Sequence, residues 1–397
     1  MNFIIIGNGV AGITAARLLI QHVPPGSNVL QFTSEPYGYY ARPKLPQFLG
    51  DNKQTPESMM IYAKDWYSKS NIQLHTNEKI HTIKRKEKKV VSDKGEYEYD
   101  KLLLALGASC ACPPIPGLEL EHAYTLRTLT DAIAIRGQLE KSHSVAIIGG
   151  GLLGIENAIA CAKRGIKTTI IEFFPHLLPR QLDPEGSAIF TQLLTKFGVE
   201  TITNAQVKEI LGTSKVESVQ LKDGRIIKAD LVMTCTGIKP RVELARKANL
   251  DVNRGVIVND FLETSDPYIF AAGDIAEHNG RVYGIIPPTT EQGRVVAENM
   301  VTSRSREYHG SKISTTLKVA DLFVSSIGYD PKQEEYPSLK YENKESTEYV
   351  KFFHENDRLK AVILLGTKKG IPHIRKMFDE PLSHHRAKLE EIFPGIA

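Results

Sequence analysis

Two glycine triplets mark where this chain could do chemistry. Gly7, Gly9 and Gly12 follow the apolar run Phe3-Ile4-Ile5-Ile6, which reads as a strand buried on both faces. In a G-x-G-x-x-G turn the first glycine allows the bend off the strand. The second lets backbone approach a pyrophosphate, and the third lets helix and strand pack closely. A helical stretch follows to about Ile20, so its free N–H groups and partial positive charge would face phosphates. The arrangement returns at Gly149, Gly151 and Gly154, after Val145-Ala146-Ile147-Ile148. Glu172 ends the next predicted strand, 18 residues past Gly154. That is close to the ~20-residue spacing at which a carboxylate accepts from a ribose hydroxyl. A carboxylate there repels a 2′-phosphate, which favours NAD(H) over NADP(H). Two such turns, each between strand and helix, imply two nucleotide domains and two nucleotides.

The acid expected behind the first triplet is Glu35, although Gln31 stands nearer the ideal distance. Beyond it, Pro36-Tyr37-Gly38-Tyr39-Tyr40-Ala41-Arg42-Pro43-Lys44-Leu45-Pro46 mixes aromatics, cations and prolines. Arg42 could clamp a pyrophosphate bidentately there; the alternative is a proline-rich surface loop.

The elements that must position these residues are short and buried. Residues 72–104 read as β segments, with Lys84-Arg85-Lys86-Glu87-Lys88-Lys89 as a solvated hairpin tip. Leu102-Leu103-Leu104-Ala105-Leu106-Gly107-Ala108 reads as a buried strand ending in glycine, and Pro113-Pro114-Ile115-Pro116-Gly117 as a domain crossover. The second fingerprint helix is predicted to run to about Arg164. Short strands follow from Thr201 to Cys235. The stretch from Thr264 to Asp274 reads as an apolar strand ending in Gly273-Asp274, which delivers Asp274 toward a ligand crevice, and a helix is predicted from about Glu291 to Met300. The tail, 312–397, alternates β-like runs with a basic helical end and reads as a third, smaller domain.

Composition bounds the rest. At 397 residues, 41% hydrophobic and 24% charged, the chain matches a soluble protein of two or three domains. A net charge of +4 is too small and dispersed to argue for nucleic acid. No run reaches the ~18 apolar residues of a membrane span, and no basic residue precedes the first apolar run as in a signal peptide. Four cysteines make no disulfide framework, so a cytoplasmic setting is expected.

The order of the first triplet, Leu106-Gly107-Ala108-Ser109, the second triplet with Glu156, Cys235-Thr236-Gly237 and Ala272-Gly273-Asp274 resembles the FAD-dependent pyridine-nucleotide disulfide oxidoreductase superfamily. The Tyr40-Ala41-Arg42-Pro43-Lys44-Leu45 stretch and the short tail look most like NADH:rubredoxin reductases and the flavin module of assimilatory nitrite reductases. The resemblance implies an α/β fold of the glutathione-reductase type: two Rossmann-like nucleotide-binding domains plus a small α+β C-terminal domain. FAD would take residues 1–111 and 236–311, NAD(H) 112–235, and the C-terminal domain 312–397.

It also implies roles. Gly7, Gly9, Gly12 and Arg42 would hold the FAD pyrophosphate, with Glu35 on its ribose. Pro43 and Lys44 would lie by the isoalloxazine, and the Ile80 backbone by the adenine. Gly273 and Asp274 would bind the ribityl chain and pyrophosphate edge. Glu291 and Gln292 would cover the pyrimidine side of the flavin. Gly149, Gly151, Gly154 and Glu172 would hold NADH, and Glu156 would face the nicotinamide amide. Gly107 and Gly237 complete the cofactor-binding set. Lys44, or an N–H at the start of the Glu291 helix, would stabilise negative charge on the flavin. Lys44, Glu156 and Glu291 are thus the candidate catalytic residues.

The departures define the activity. No cysteine precedes Cys110, so the C-x₄-C of the disulfide reductases and the single cysteine of the peroxidase and oxidase branch are both missing. The thioredoxin-reductase C-x-x-C is absent too. Where a lysine commonly partners the helix glutamate, Gln47 stands. Cys110 and Cys112 are too close for an unstrained disulfide and read as packing residues.

The expectation is a flavoenzyme taking a hydride from NADH and passing electrons to an external one-electron acceptor, rubredoxin or an iron–sulfur or haem partner. Two rivals stand beside it: an NADH oxidase or peroxidase, and an NADH-gated redox binding protein. Lys368, Lys369, Arg375, Lys376, Arg386 and Lys388 could steer an acidic carrier such as rubredoxin or a ferredoxin, or could only solvate an amphipathic helix.

Overall fold

The computed structural model describes residues 1–319 and 322–397. Its contacts divide the chain into two units. The first comprises Met1–Arg42, Thr55–Ser109 and Ile238–Ser311; the second comprises Pro43–Gln54, Cys110–Gly237 and Lys312–Ala397.

The first unit is built on a five-stranded parallel sheet. Its order is Ile269–Ala271, Lys101–Leu104, Asn2–Ile6, Asn28–Phe32, Ile72–His75. The opening strand is central, so both its edges are paired and both faces covered; Phe3, Ile4 and Ile5 are 0% exposed. That position explains a continuous apolar run rather than an alternating one. The Val10–His22 helix buries Ile13, Ala15, Ala16 and Leu19, and ends where Val23 turns extended ahead of Pro24. Against it packs the Ile286–Val301 helix. Their crossing is close: a Cβ on Gly293 would stand 2.9 Å from the Ala11 carbonyl oxygen.

This second helix corrects the sequence reading. It starts at Ile286, not near Glu291, because Pro287 and Pro288 occupy its first turn, where a missing N–H costs nothing. Glu291 therefore lies inside the helix and offers no free N–H from its start. The basic tip is a hairpin turn between Ile80–Lys84 and Lys89–Ser92 as expected, but it is not simply solvated. Arg85 Nε donates to Asp266 Oδ2 at 2.8 Å and Arg85 Nη1 to the Asn249 carbonyl at 2.9 Å.

The second unit repeats the plan. Its parallel sheet runs Val199–Ile202, Lys167–Ile171, Ser144–Ile148, Leu231–Thr234, Ala123–Tyr124. The Leu152–Lys163 helix follows the central strand, and the short Leu45–Gly50 helix packs on it. The tail forms an antiparallel five-stranded sheet ordered Ser314–Val319, Leu322–Ile327, Arg358–Leu365, Glu348–Glu355, Ser338–Asn343. Helices Ile371–Met377 and Arg386–Ile392 follow it. This sheet has its own core, with Val350, Phe352, Val362, Leu364 and Phe393 each 0% exposed. Among the described residues, no helix is long and apolar enough to cross a membrane.

Candidate active site

The first triplet makes the turn its spacing predicts. Gly7 takes φ +122°, and a Cβ there would meet the Ala105 carbonyl at 2.1 Å. At Gly12 a Cβ would stand 2.1 Å from the Gly7 carbonyl oxygen, so helix and strand approach only because it is absent. Gly9 differs: nothing lies within 4 Å of the added carbon. No protein neighbour requires glycine there, so the open space beside the helix start is what it preserves. The helix has no side-chain cap and no acid in its first turn, which leaves its N–H groups for an anion.

The second triplet reproduces this geometry. Gly149 takes φ +110°, Gly154 would clash with the Gly149 carbonyl at 2.0 Å, and Gly151 faces nothing within 4 Å. Here the acid is built into the turn. Glu172, 5% exposed, accepts from the Gly150 N–H at 2.5 Å and from the Phe174 N–H at 2.7 Å. Gly150 was not singled out by spacing. A Cβ on it would meet Leu177 Cδ2 at 2.4 Å and Glu172 Oε2 at 3.1 Å, and the Gly149-Gly150-Gly151 run was its only signal in the sequence.

Glu35 and Gln31 divide the corresponding work in the first unit. Gln31 is buried, and its Nε2 donates to the Gly7 carbonyl at 3.1 Å, so it braces the turn. Glu35 accepts from the Tyr40 hydroxyl at 2.5 Å and is ion-paired with Arg42. The structure thus brings together Glu35 and Arg42, which the sequence assigned to different parts of one nucleotide. Gln292, 1% exposed, accepts from the Gly273 N–H at 2.8 Å and holds the turn that leads to Asp274. Gly273 itself takes φ +85°. Glu291 does not join that turn; its Oε2 accepts from Ser311 Oγ at 2.5 Å.

Gly107 and Gly237 take φ +65° and +112°, each beside the Ala108–Cys110 and Ile238–Pro240 strand pair. Ile80 starts its strand with the side chain buried. Pro43 and Lys44 are exposed in the short turn Arg42–Lys44. Glu156 lies on the Leu152–Lys163 helix without a hydrogen bond or ion pair among the described residues, and Gln47 is exposed. Burial pushes the Glu156 carboxyl up to about 7.

Residues 1–294 match the family model described as pyridine nucleotide-disulphide oxidoreductase. The chain belongs to this family. Residues 314–381 match a second model, the rubredoxin NAD+ reductase C-terminal domain. The chain is 35% identical over 364 residues to the assimilatory nitrate reductase electron transfer subunit of Bacillus subtilis, covering 91% of this chain and 47% of that protein. It therefore spans about half the length of that relative. It is 28% identical over 381 residues to the NADH-rubredoxin oxidoreductase of Clostridium acetobutylicum, covering 96% and 95%. The crystal structure of that enzyme superposes with a TM-score of 0.80 at 26% identity, covering 96% of this chain and 95% of that one. The covalent putidaredoxin reductase–putidaredoxin complex matches with a TM-score of 0.83 at 27% identity, covering 95% and 92%.

The pyridine nucleotide-disulphide oxidoreductases use FAD and NADH, and the residues present fit both. The open cradles at Gly9 and Gly151 each suit a pyrophosphate. The family's disulphide has no counterpart here, since all four cysteines are free. Cys110 is half-buried, and burial raises its thiol pKa. Cys112 is exposed, which corrects its reading as a packing residue: it stands past the end of the Ala108–Cys110 strand, just before Pro113 and Pro114. Cys161 and Cys235 are pushed up to about 12 by burial, away from thiolate chemistry.

Proposed function

We propose that this chain is an FAD-dependent NADH oxidoreductase that hands electrons singly to an external iron–sulfur carrier of the rubredoxin type. The observation that carries the reading is the pairing of two phosphate-ready turns with four free thiols. An enzyme with no internal disulphide must deliver its electrons outside the chain. The C-terminal match at 314–381 and the full-length likeness to an NADH-rubredoxin oxidoreductase support a small carrier as the recipient. Bound FAD would supply the exchange between a two-electron donor and a one-electron acceptor.

The chain's own residues bind and orient. Gly149, Gly151 and the start of the Leu152–Lys163 helix would take the NADH pyrophosphate. Glu172 keeps lone pairs for the adenosine ribose beyond its two backbone bonds, and its buried charge repels a 2′-phosphate. Glu156, whose carboxyl burial raises to about 7, would in its protonated form donate its O–H to the carbonyl of the nicotinamide amide. In the first unit, Gln292 fixes the Gly273 turn and Gln31 fixes the Gly7 turn around FAD. Glu35 would accept from the FAD ribose while holding Arg42 near the pyrophosphate. A cytoplasmic location fits the free thiols.

Anaerobic NADH should bleach the yellow protein, NADPH should do so more slowly, and added rubredoxin should then be reduced. Rapid turnover with oxygen and no carrier would replace this reading with an NADH oxidase. A long-lived reduced complex with slow turnover toward every acceptor would replace it with an NADH-gated binding protein.

A further inference from the structure

Residues 173–182 join Glu172 to the Pro184–Thr195 helix and are anchored at three places. At the start, Phe173 and Phe174 are 59% and 51% exposed, yet their backbone is fixed. The Phe174 N–H donates to Glu172 at 2.7 Å, and its carbonyl accepts from the Asn204 N–H at 2.8 Å. The two rings meet edge to face with centroids 5.4 Å apart, an apolar pair beside the nucleotide carboxylate. In the middle, the Leu178 N–H donates to the Gly150 carbonyl at 3.0 Å, tying the loop to the fingerprint turn.

The third anchor is Asp183, 1% exposed. Its Oδ1 caps the helix by accepting from the Gly186 N–H at 3.0 Å. Capping needs only that oxygen. Its Oδ2 accepts from the Tyr349 hydroxyl at 2.7 Å and from Lys351 Nζ at 2.8 Å. Both donors stand on the Glu348–Glu355 strand of the C-terminal sheet. A second pair lies beside them, Lys340 Nζ to Glu185 Oε1 at 2.7 Å. The helix end is linked back to the loop by Ser187 Oγ, which donates to the Leu177 carbonyl at 2.8 Å.

The geometry points to Tyr349 and Lys351 as positioning residues for NADH: by clamping Asp183, the C-terminal sheet holds the 173–182 loop where its rings and Glu172 receive the adenosine half of the dinucleotide. This rests on the NADH reading of the second fingerprint. Tyr349, 0% exposed, and Lys351 alternate along their strand with Val350 and Phe352, so they point to the face opposite the cluster around Phe352, Val362, Leu364 and Phe393. A buried ion pair adds little net stability, because the cost of desolvating both charges offsets their attraction.

The test uses the full chain with its flavin bound and the variants Lys351→Met and Tyr349→Phe. Each should raise the KM for NADH and the calorimetric Kd for NAD+ by about five- to ten-fold, the scale of a typical coupling between sites. Flavin content should not change, kcat should stay within about two-fold, and the KM for reduced nicotinamide mononucleotide, which lacks the adenosine half, should not move. Lys351→Arg should recover most of the loss. If the variants melt earlier but bind NAD+ like wild type, the cluster only secures the sheet and the inference fails. It fails equally if NADH and the mononucleotide weaken together. Should Lys351→Met not fold, Tyr349→Phe, which keeps the ring against Gly186, carries the test alone. Wild-type protein that binds no NAD+ would overturn the NADH reading itself, and the inference with it.

Discussion

Glu172 and Glu35 follow the two fingerprints, and their partners give them different work. Glu172 bonds to the backbone of its own turn, whereas Glu35 is shared between Tyr40 and Arg42. Glu172→Ala removes the acceptor of the Gly150 N–H together with the proposed ribose contact. It should raise the KM for NADH by about ten-fold or more, as loss of a charged hydrogen bond costs ~1.5–3 kcal/mol, while NADPH changes less and flavin content stays constant. Steady-state rates with both nucleotides decide it; an unaltered preference would remove Glu172 from the ribose. Glu156 makes a pH-dependent prediction. Its carboxyl lies at about 7 against an ordinary 4.5, because burial penalises the charge. The folded chain therefore holds this proton more tightly than the unfolded one. The resulting stability is fully present below the unfolded value and is lost as pH rises through the folded one. Glu156→Gln, neutral throughout, should melt a few degrees above wild type at about pH 8 and converge with it near pH 5. Melting curves that differ equally at both pH values would mean that Glu156 ionises without penalty.

Among the elements, the two strand–turn–helix units separate glycines kept for the fold from glycines kept for a ligand. Gly12→Ala and Gly154→Ala place a Cβ about 2 Å from a backbone oxygen and should unfold their units or lower their melting temperature sharply. Gly9→Ala and Gly151→Ala meet no protein atom. Both should fold with the melting temperature of the nucleotide-free wild type, yet lose affinity for FAD and NAD+ respectively. Equal destabilisation by all four substitutions would show that the open cradles are structural. The Ile286–Val301 helix teaches the converse: its first turn is spent on Pro287 and Pro288, so its start offers few N–H groups to any ligand.

At the scale of the whole molecule, the question is how electrons leave. With Cys110 and Cys112 free and one of them exposed, changing both to Ser should leave NADH-driven carrier reduction within a few-fold of wild type. A collapse of turnover with NADH bleaching intact would revive a thiol relay. For carrier docking, the structure narrows the basic tail. Lys369 is paired with Glu348 at 3.0 Å and Lys388 with Glu391 at 2.6 Å, while Arg375 and Lys376 are exposed and make no ion pair among the described residues. Arg375→Glu with Lys376→Glu should slow reduction of an acidic carrier, as should added salt, with flavin reduction by NADH unchanged. Carrier rates indifferent to both would place docking elsewhere.

What the sequence determined by itself was the pair of nucleotide turns and the strands that carry them. Those features are local: a buried strand, a positive-φ glycine and a helix start are neighbours along the chain, so spacing alone encodes them. The same locality made the missing thiols legible, since an absent cysteine needs no fold to be seen. The tertiary structure decided the partners. Arg42 reaches Glu35 and Glu291 reaches Ser311, because a charged group pairs with whatever the chain path brings within hydrogen-bond distance. Glu156 makes no hydrogen bond or ion pair among the described residues, and Gln47, on the helix packed beside it, is exposed. The grip of Tyr349 and Lys351 on Asp183 spans 166 and 168 positions and has no periodicity to announce it. It exists only because a separate sheet folds against that helix end, and a buried carboxylate must be met by a donor wherever in the chain one can be found.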